Sequence, residues 1–272
     1  MIYSGDSLNE ISFPLGGIGT GCIGVAGNGS LVDFEIFNRP NKGSRINGTT
    51  FFAVTAEYPD GRRVVKILCG DTQKDLSGRH NGIRGFGYGP NADSMCGLPH
   101  FLSVVFDGRF PTAELTFEDP GFPGKVKLTA WSPFIPLDSE NSGIPAAFFD
   151  ISIENMLEGV KYGAVFSVKN PFGNTYNKDV STDRYIAVKL FPSDKDKSDK
   201  EYGDMTVAVD CKSGTLQEYW YRGGGRDGVS TFWRELTAGD LPGRHYEEAG
   251  QRDVCSVGGV IEKDRQIGRA HV

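Results

Sequence analysis

Three groups of residues have the types and spacing to do chemistry. Gly19, Gly21 and Gly24, inside "FPLGGIGTGCIG", match the GxGxxG spacing with which a loop cradles a dinucleotide pyrophosphate. Asp33 and Glu35 stand two apart, which places two side chains on one face of a strand, where paired carboxylates could act as general acid and base. Trp131, Trp220, Tyr221 and Trp233 offer flat apolar faces on which a sugar ring can stack.

The nucleotide reading fails on its own context. A pyrophosphate cradle needs a helix opening within the glycines and an acidic residue about twenty positions on. The chain instead continues as "VAGNGSLVDFEIFNRP", in which Gly27, Asn28 and Gly29 would break a helix and Val32, Phe34 and Ile36 alternate with Leu31, Asp33 and Glu35. Period two means strand, so the glycines are expected to serve a close backbone approach. Asp33 and Glu35 then read as a solvated strand face. Glu247 and Glu248 are a weaker pair, because neighbours on an extended chain point oppositely.

The remaining chemistry-bearing residues are scattered. Cys22, Cys69, Cys96, Cys211 and Cys255 are odd in number and nowhere spaced CxxC, which predicts reduced, packed thiols in a cytoplasmic protein, with neither a disulfide framework nor a zinc site. His80, His100 and His245 stand alone, with no HxxxH or HExxH spacing, and are expected to be structural. Lys and Arg number 29 against 35 Asp and Glu, a net charge of −6, so nothing attracts a phosphate backbone and no nucleic-acid partner is expected. The single "YRGGGRDG" at 221–228 reads as a glycine loop, and "SDKDKSDKE" at 193–201 as a solvated loop. The start "MIYSGDSLNE" has no leader-like apolar region, and no run approaches a transmembrane segment.

The elements that must position these residues are strands. Among 272 residues there are 37 glycines, about twice the usual share, as a sheet-rich chain with many turns requires. Asn28-Gly29, Asp60-Gly61 and Asp107-Gly108 each lie between alternating runs and predict three hairpins, the first with a type I′ turn. Further strand-like runs ("GKVKLTAWSPFIPL", "PAAFFDISIEN", "KYGAVFSVKN", "RYIAVKLF", "DMTVAVD", "TLQEYWYRG") come after them, with Pro133, Pro136 and Pro145 at edges or crossovers. No helical periodicity is sustained, and only "ELTAGDLPG" has room for a short helix. The fold class expected is all-β, a large antiparallel β-sandwich over residues 1–265. Residues 266–272, "QIGRAHV", are encoded in one frame by a common sequencing adapter, CAG ATC GGA AGA GCA CAC GTC. They are therefore expected to be a non-native tail, with the native protein continuing past about Arg265.

With the strands placed, "FPLGGIGTGCIG", "GSLVDFEIFNRPNKG", "LPHF", "WSPFIPLDSENSGIPAAFF" and "NPFGN" together resemble the amino-terminal domain of the bile-acid β-glucosidase or non-lysosomal glucosylceramidase family, glycoside hydrolase family 116. The resemblance spans about residues 8–262 and rests on the order and spacing of the blocks. It implies a β-sandwich packed against a carboxy-terminal (α/α)6 barrel, and retaining hydrolysis of β-glucosides without metal or organic cofactor. In that family both catalytic carboxylates lie in the barrel, so no catalytic residue carries over to this chain, which is expected to be inactive alone. Gly16, Gly17, Gly19 and Gly21, with Asn38 and Arg39 just past the next strand, are the candidate substrate-binding or interface residues. The alternative is a free-standing carbohydrate-binding sandwich, in which one of the four aromatic residues would stack on sugar.

Overall fold

The computed structural model of the chain describes residues 1–38, 40–41, 49–71, 95, 97–211, 213–224 and 227–262. It is built mostly of strands. β1 (Ile2–Ser4), a 3₁₀ turn (Gly5–Glu10), β2 (Ser12–Leu15), β3 (Cys22–Ala26), β4 (Leu31–Glu35), β5 (Phe51–Glu57) and β6 (Arg63–Ile67) come first. β7 (Ser103–Arg109), β8 (Thr112–Glu118), β9 (Lys125–Trp131), a one-turn helix α1 (Ser139–Ser142) and β10 (Phe148–Glu154) are next. Then come β11 (Lys161–Lys169), β12 (Asn174–Asp179), β13 (Ile186–Pro192), β14 (Met205–Val209), β15 (Gly214–Gln217), helix α2 (Asp227–Ala238), β16 (Gly250–Gln251) and β17 (Val254–Ile261). The strands form four sheets, in the orders β1-β7-β8-β9-β10, β2-β3-β4, β15-β17-β11-β5-β6 and β14-β13-β12-β16. The chain divides into two compact units, one of Met1–Thr49, Lys66–Phe148 and Ile153–Met156, the other of Thr50–Val65, Phe149–Ser152 and Leu157–Val272.

In the first unit the hydrophobic alternation decides which face is core. Val104 and Phe106 on β7, Ala113, Leu115 and Phe117 on β8, and Val126, Leu128 and Ala130 on β9 are buried, while the residues between them are not. The registers Phe106↔Leu115 and Leu115↔Leu128 put these side chains in one layer, so that burial of each stabilises its neighbours across the ladder. Phe13 of β2 meets Phe106 at 6.2 Å between ring centres, which joins the three-stranded sheet to this core. At the core's edge Lys66 donates to the His100 carbonyl and lies 3.0 Å from the Asp119 carboxylate, whose side chain is 5% exposed.

In the second unit β5 is buried along nearly its whole length, Phe51 through Ala56, because it runs between β11 and β6 with both faces covered. Phe52 stacks on Phe166 at 4.1 Å, while Phe51 turns the other way and meets Trp220 and Phe232 edge-on at 6.2 and 5.9 Å. Phe232 lies on α2 and stacks flat on Trp220 at 4.1 Å. This helix takes in the first four residues of "ELTAGDLPG", where a short helix is expected, but starts eight residues earlier. Its apolar stripe is two buried residues, Phe232 and Leu236, one turn apart, too short for periodicity alone to reveal. It ends at Gly239, φ 80°, where the Gly239 and Asp240 N–H groups bond back to the Leu236 and Glu235 carbonyls.

Two of the three expected hairpins lie at the expected positions, with a different turn. Ala26 and Ser30 flank Gly27-Asn28-Gly29, and Tyr58 and Arg62 flank Pro59-Asp60-Gly61. In each the glycine alone takes positive φ (92° and 85°) and its N–H returns to the first flanking carbonyl. These are three-residue loops ending in a left-handed glycine, so the type I′ expectation is corrected. Asn28 and Asp60 accept from the N–H two residues on, a contact that favours this loop. Asp107-Gly108 does not turn at all. It lies within β7, the chain reverses at Phe110-Pro111, and that peptide bond is cis. Asp107 instead holds the Met1 amino group at 2.9 Å, and Gly108 leaves room for the Phe106 ring. The loop 193–201 is largely exposed, with Asp196 and Asp199 bonding to the N–H groups of Ser198 and Glu201. The tail 266–272 lies outside the described residues.

This packing generates two expected outcomes. Phe232→Ala removes the aromatic contacts that α2 makes with Phe51 and Trp220, and thermal or urea unfolding should show a loss of about 3–5 kcal/mol. For Asp119, burial raises the carboxyl's pKa, but the Lys66 ammonium and the Gly121 and Leu102 N–H groups outweigh it and hold it below its ordinary value. A carboxylate depressed in the folded state contributes stability that is present above the unfolded pKa and lost as pH falls through the folded one. Melting temperature should therefore fall below about pH 4, and Asp119→Asn should flatten that acid limb.

Candidate functional site

The glycine turn connects β2 to β3, which pair from Ser12↔Ala26 to Leu15↔Ile23. No helix opens within it, so the GxGxxG spacing sits on a strand–turn–strand and holds no phosphate cradle of the dinucleotide kind. Thr20 closes the turn by donating both its N–H (3.2 Å) and its hydroxyl (3.0 Å) to the Gly17 carbonyl. The turn is tied to the segment after β9. Gly16 N–H donates to Ser132 Oγ at 2.7 Å, Ser132 in turn donates to the Ala146 carbonyl at 3.1 Å, and Ile18 N–H donates to the Ser142 carbonyl at 2.8 Å.

These bonds draw backbone onto backbone. A β-carbon on Gly17 would strike the Gly143 carbonyl and stand 2.6 Å from that of Ile144. One on Gly16 would strike the Gly21 carbonyl, and one on Gly21 would stand 2.7 Å from the Glu35 carbonyl. Gly19 differs: nothing lies within 4 Å, and only its φ of 76° favours glycine. Around this junction apolar side chains face outward, with Ile18 59%, Ile135 50% and Ile144 42% exposed.

Asp33 and Glu35 do not act as a pair on a solvated face. The β3–β4 register slips between Cys22↔Glu35 and Gly24↔Val32, a bulge in which Asp33 takes φ 50°. The slip breaks the two-residue alternation on which a shared face depends. Asp33 is 7% exposed and accepts from Ser12 Oγ at 2.8 Å, while Glu35 accepts from Asn41 N–H at 3.1 Å and lies 3.7 Å from Cys22 Sγ. Asn38 is exposed, with φ 51°; Arg39 lies outside the described residues.

The remaining candidates separate by burial. Trp220 is buried and donates to Ser256 Oγ at 2.7 Å, Trp131 stacks on Phe148 at 4.3 Å, and Trp233 is half-buried on α2. Tyr221 is exposed. Cys22, Cys69, Cys211 and Cys255 carry thiols rather than disulfides, and burial pushes the Cys255 thiol up to about 12, which removes it as a nucleophile. His100 bonds to the Leu98 carbonyl and Asp71, and His245 to Glu218; His80 and Cys96 lie outside the described residues. No group of three His, Cys, Asp or Glu suited to a metal occurs among the described residues. None of their helices is long and apolar enough to cross a membrane.

The four antiparallel sheets make a β-rich domain. A family model described as beta-glucosidase 2, glycosyl-hydrolase family 116 N-term, matches residues 12–262, and the chain belongs to this family. No curated protein matches the chain significantly.

Sequence reasoning identifies the glycines but not their neighbours. The exposed Ile18 lies more than a hundred residues before the exposed Ile135 and Ile144, and no local pattern unites it with them. A contrast between two glycines tests the geometry. Gly17→Ala must displace backbone and should cost more than about 3 kcal/mol, whereas Gly19→Ala meets open space and should cost only the left-handed penalty of about 1–2 kcal/mol, both read by chemical denaturation.

Proposed function

We propose that the chain is the amino-terminal, non-catalytic β-sandwich of a retaining β-glucosidase or glucosylceramidase-like hydrolase. A carboxy-terminal (α/α)6 domain of the same protein would hold the nucleophile and the acid/base. The observation that carries this reading is the family match over residues 12–262. The engagement of Asp33 with Ser12, and of Glu35 with Asn41, also supports it, because a retaining pair must face one sugar from two sides. In the complete enzyme one carboxylic acid protonates the leaving glycosidic oxygen and the second carboxylate forms a glycosyl intermediate that water hydrolyses. That chemistry asks for neither metal nor organic cofactor.

On this reading Gly16, Gly17, Gly19, Gly21, Asn38 and Arg39 border the surface that receives the catalytic domain, close to the sugar cleft. The exposed Ile18, Ile135 and Ile144 support it, since apolar side chains gathered at one surface mark an interaction site. We place the parent enzyme in the cytoplasm, on thiols that remain reduced although widely spread.

The test is turnover of an aryl β-glucoside. The purified chain should show none, and a full-length parent should release glucose with retained anomeric configuration, as tracked by NMR. Sustained turnover by the chain alone, abolished by Asp33→Ala or Glu35→Ala, would overturn the assignment. In the parent, Ile18→Asp should lower activity or the cooperativity of unfolding, while the same substitution in this chain leaves its melting temperature near the wild-type value.

A further inference from the structure

We propose that a cleft beside the start of α2 is a binding subsite for a neutral pyranose ring. The cleft has a volume of about 470 Å³ and is lined by Tyr221, Asp227, Ser230, Thr231, Arg234 and Arg244. That volume suits a small organic ligand. Tyr221 supplies the flat wall. It is 47% exposed, and its neighbours hold it outward: Trp220 is anchored inside by Phe232 and Ser256, and Arg222 turns inward to the Asp253 carboxylate at 2.8 Å. An aromatic face presented in this way matches the C–H face of a sugar ring.

The polar wall completes the match. A β-carbon at Gly223 would strike Asp227 Cβ and stand 2.7 Å from Tyr221 Cε1, so both side chains occupy space that any other residue at 223 would need. Asp227 accepts, Arg234 donates, and the Ser230 and Thr231 hydroxyls do both, which is the mixture that vicinal sugar hydroxyls require. The charges balance as well. Arg244 is paired with Glu235, and Asp227 and Arg234 both line the cleft from one face of α2, two turns apart. Counting Glu235, the two guanidinium groups at the cleft stand beside two carboxylates, so no net positive charge favours a phosphate or carboxylate ligand.

Sugar binding here does not depend on the parent's being a hydrolase, so the test uses the 272-residue chain itself and no activity. Methyl β-D-glucopyranoside and cellobiose are the probes, read by saturation-transfer NMR and by titration calorimetry. We expect saturation of the ring C–H protons and weak binding, with Tyr221→Ala and Asp227→Asn each weakening it roughly tenfold and Tyr221→Phe changing it less than about twofold. Both sites are on the surface, and an unchanged melting temperature separates lost binding from lost fold. Absence of saturation at about 50 mM sugar, binding untouched by both variants, or inorganic phosphate displacing the sugar would each overturn the proposal.

Discussion

A carboxylate cannot stay buried without a counter-charge and hydrogen bonds, and in the second compact unit Asp253 imposes that condition. Its side chain is 5% exposed and accepts from Arg222 through both oxygens at 2.8 Å and from Thr175 at 2.8 Å. The guanidinium lies against an edge-to-face pair of rings, 4.9 Å from the centre of Tyr219 and 4.2 Å from that of Tyr246, and donates to the Glu248 carbonyl. One ion pair thus joins the edge of β12, the strand β16 and the segment before α2. Because Trp220 and Arg222 both turn inward, the intervening Tyr221 is left facing water, where it forms the wall of a cleft.

The first unit depends on a different constraint, the contact of one backbone with another. Gly16, Gly17 and Gly21 have no side chains where carbonyls of Gly21, Gly143, Ile144 and Glu35 approach, and Ser132 and Ser142 satisfy the polar groups that the approach exposes. The turn is therefore closely packed against backbone on several sides, and Ile18, Ile135 and Ile144 lie exposed at its margin. By disrupting the alternation, the bulge at Asp33 turns a carboxylate inward to Ser12.

Legibility in the sequence tracks the range of the physics. Alternation in "HFLSVVFDGRFPTAELTF" and "GKVKLTAWSPFIPL" is a property of each strand alone, and β7, β8 and β9 are readable from it. The loops at Asn28-Gly29 and Asp60-Gly61 are readable because a left-handed glycine after a side chain that caps its own turn is a local arrangement. Asp107-Gly108 has the same letters as Asp60-Gly61, but it lies within β7, where Asp107 accepts from the Met1 amino group 106 residues away, and the chain reverses instead at Phe110-Pro111. Most of helix α2 escapes a sequence reading for the complementary reason. Its docking rests on Trp220 and Phe51, the latter about 175 residues before the helix and outside any local window.

By itself the sequence determined a strand-rich chain, its family through the order of short blocks, and the positions where glycine was required. Those are features written in residue types and in spacings of two to a few residues. Only the tertiary structure decided what the glycines approach, that Asp33 is buried at a bulge, which of the candidate aromatic residues faces water, and that Asp227 and Tyr221 both crowd against Gly223. Each of these depends on groups brought together by the folded chain. Burial and charge pairing are properties of the assembled surroundings, and the same Tyr or Asp is buried or exposed according to what packs against it.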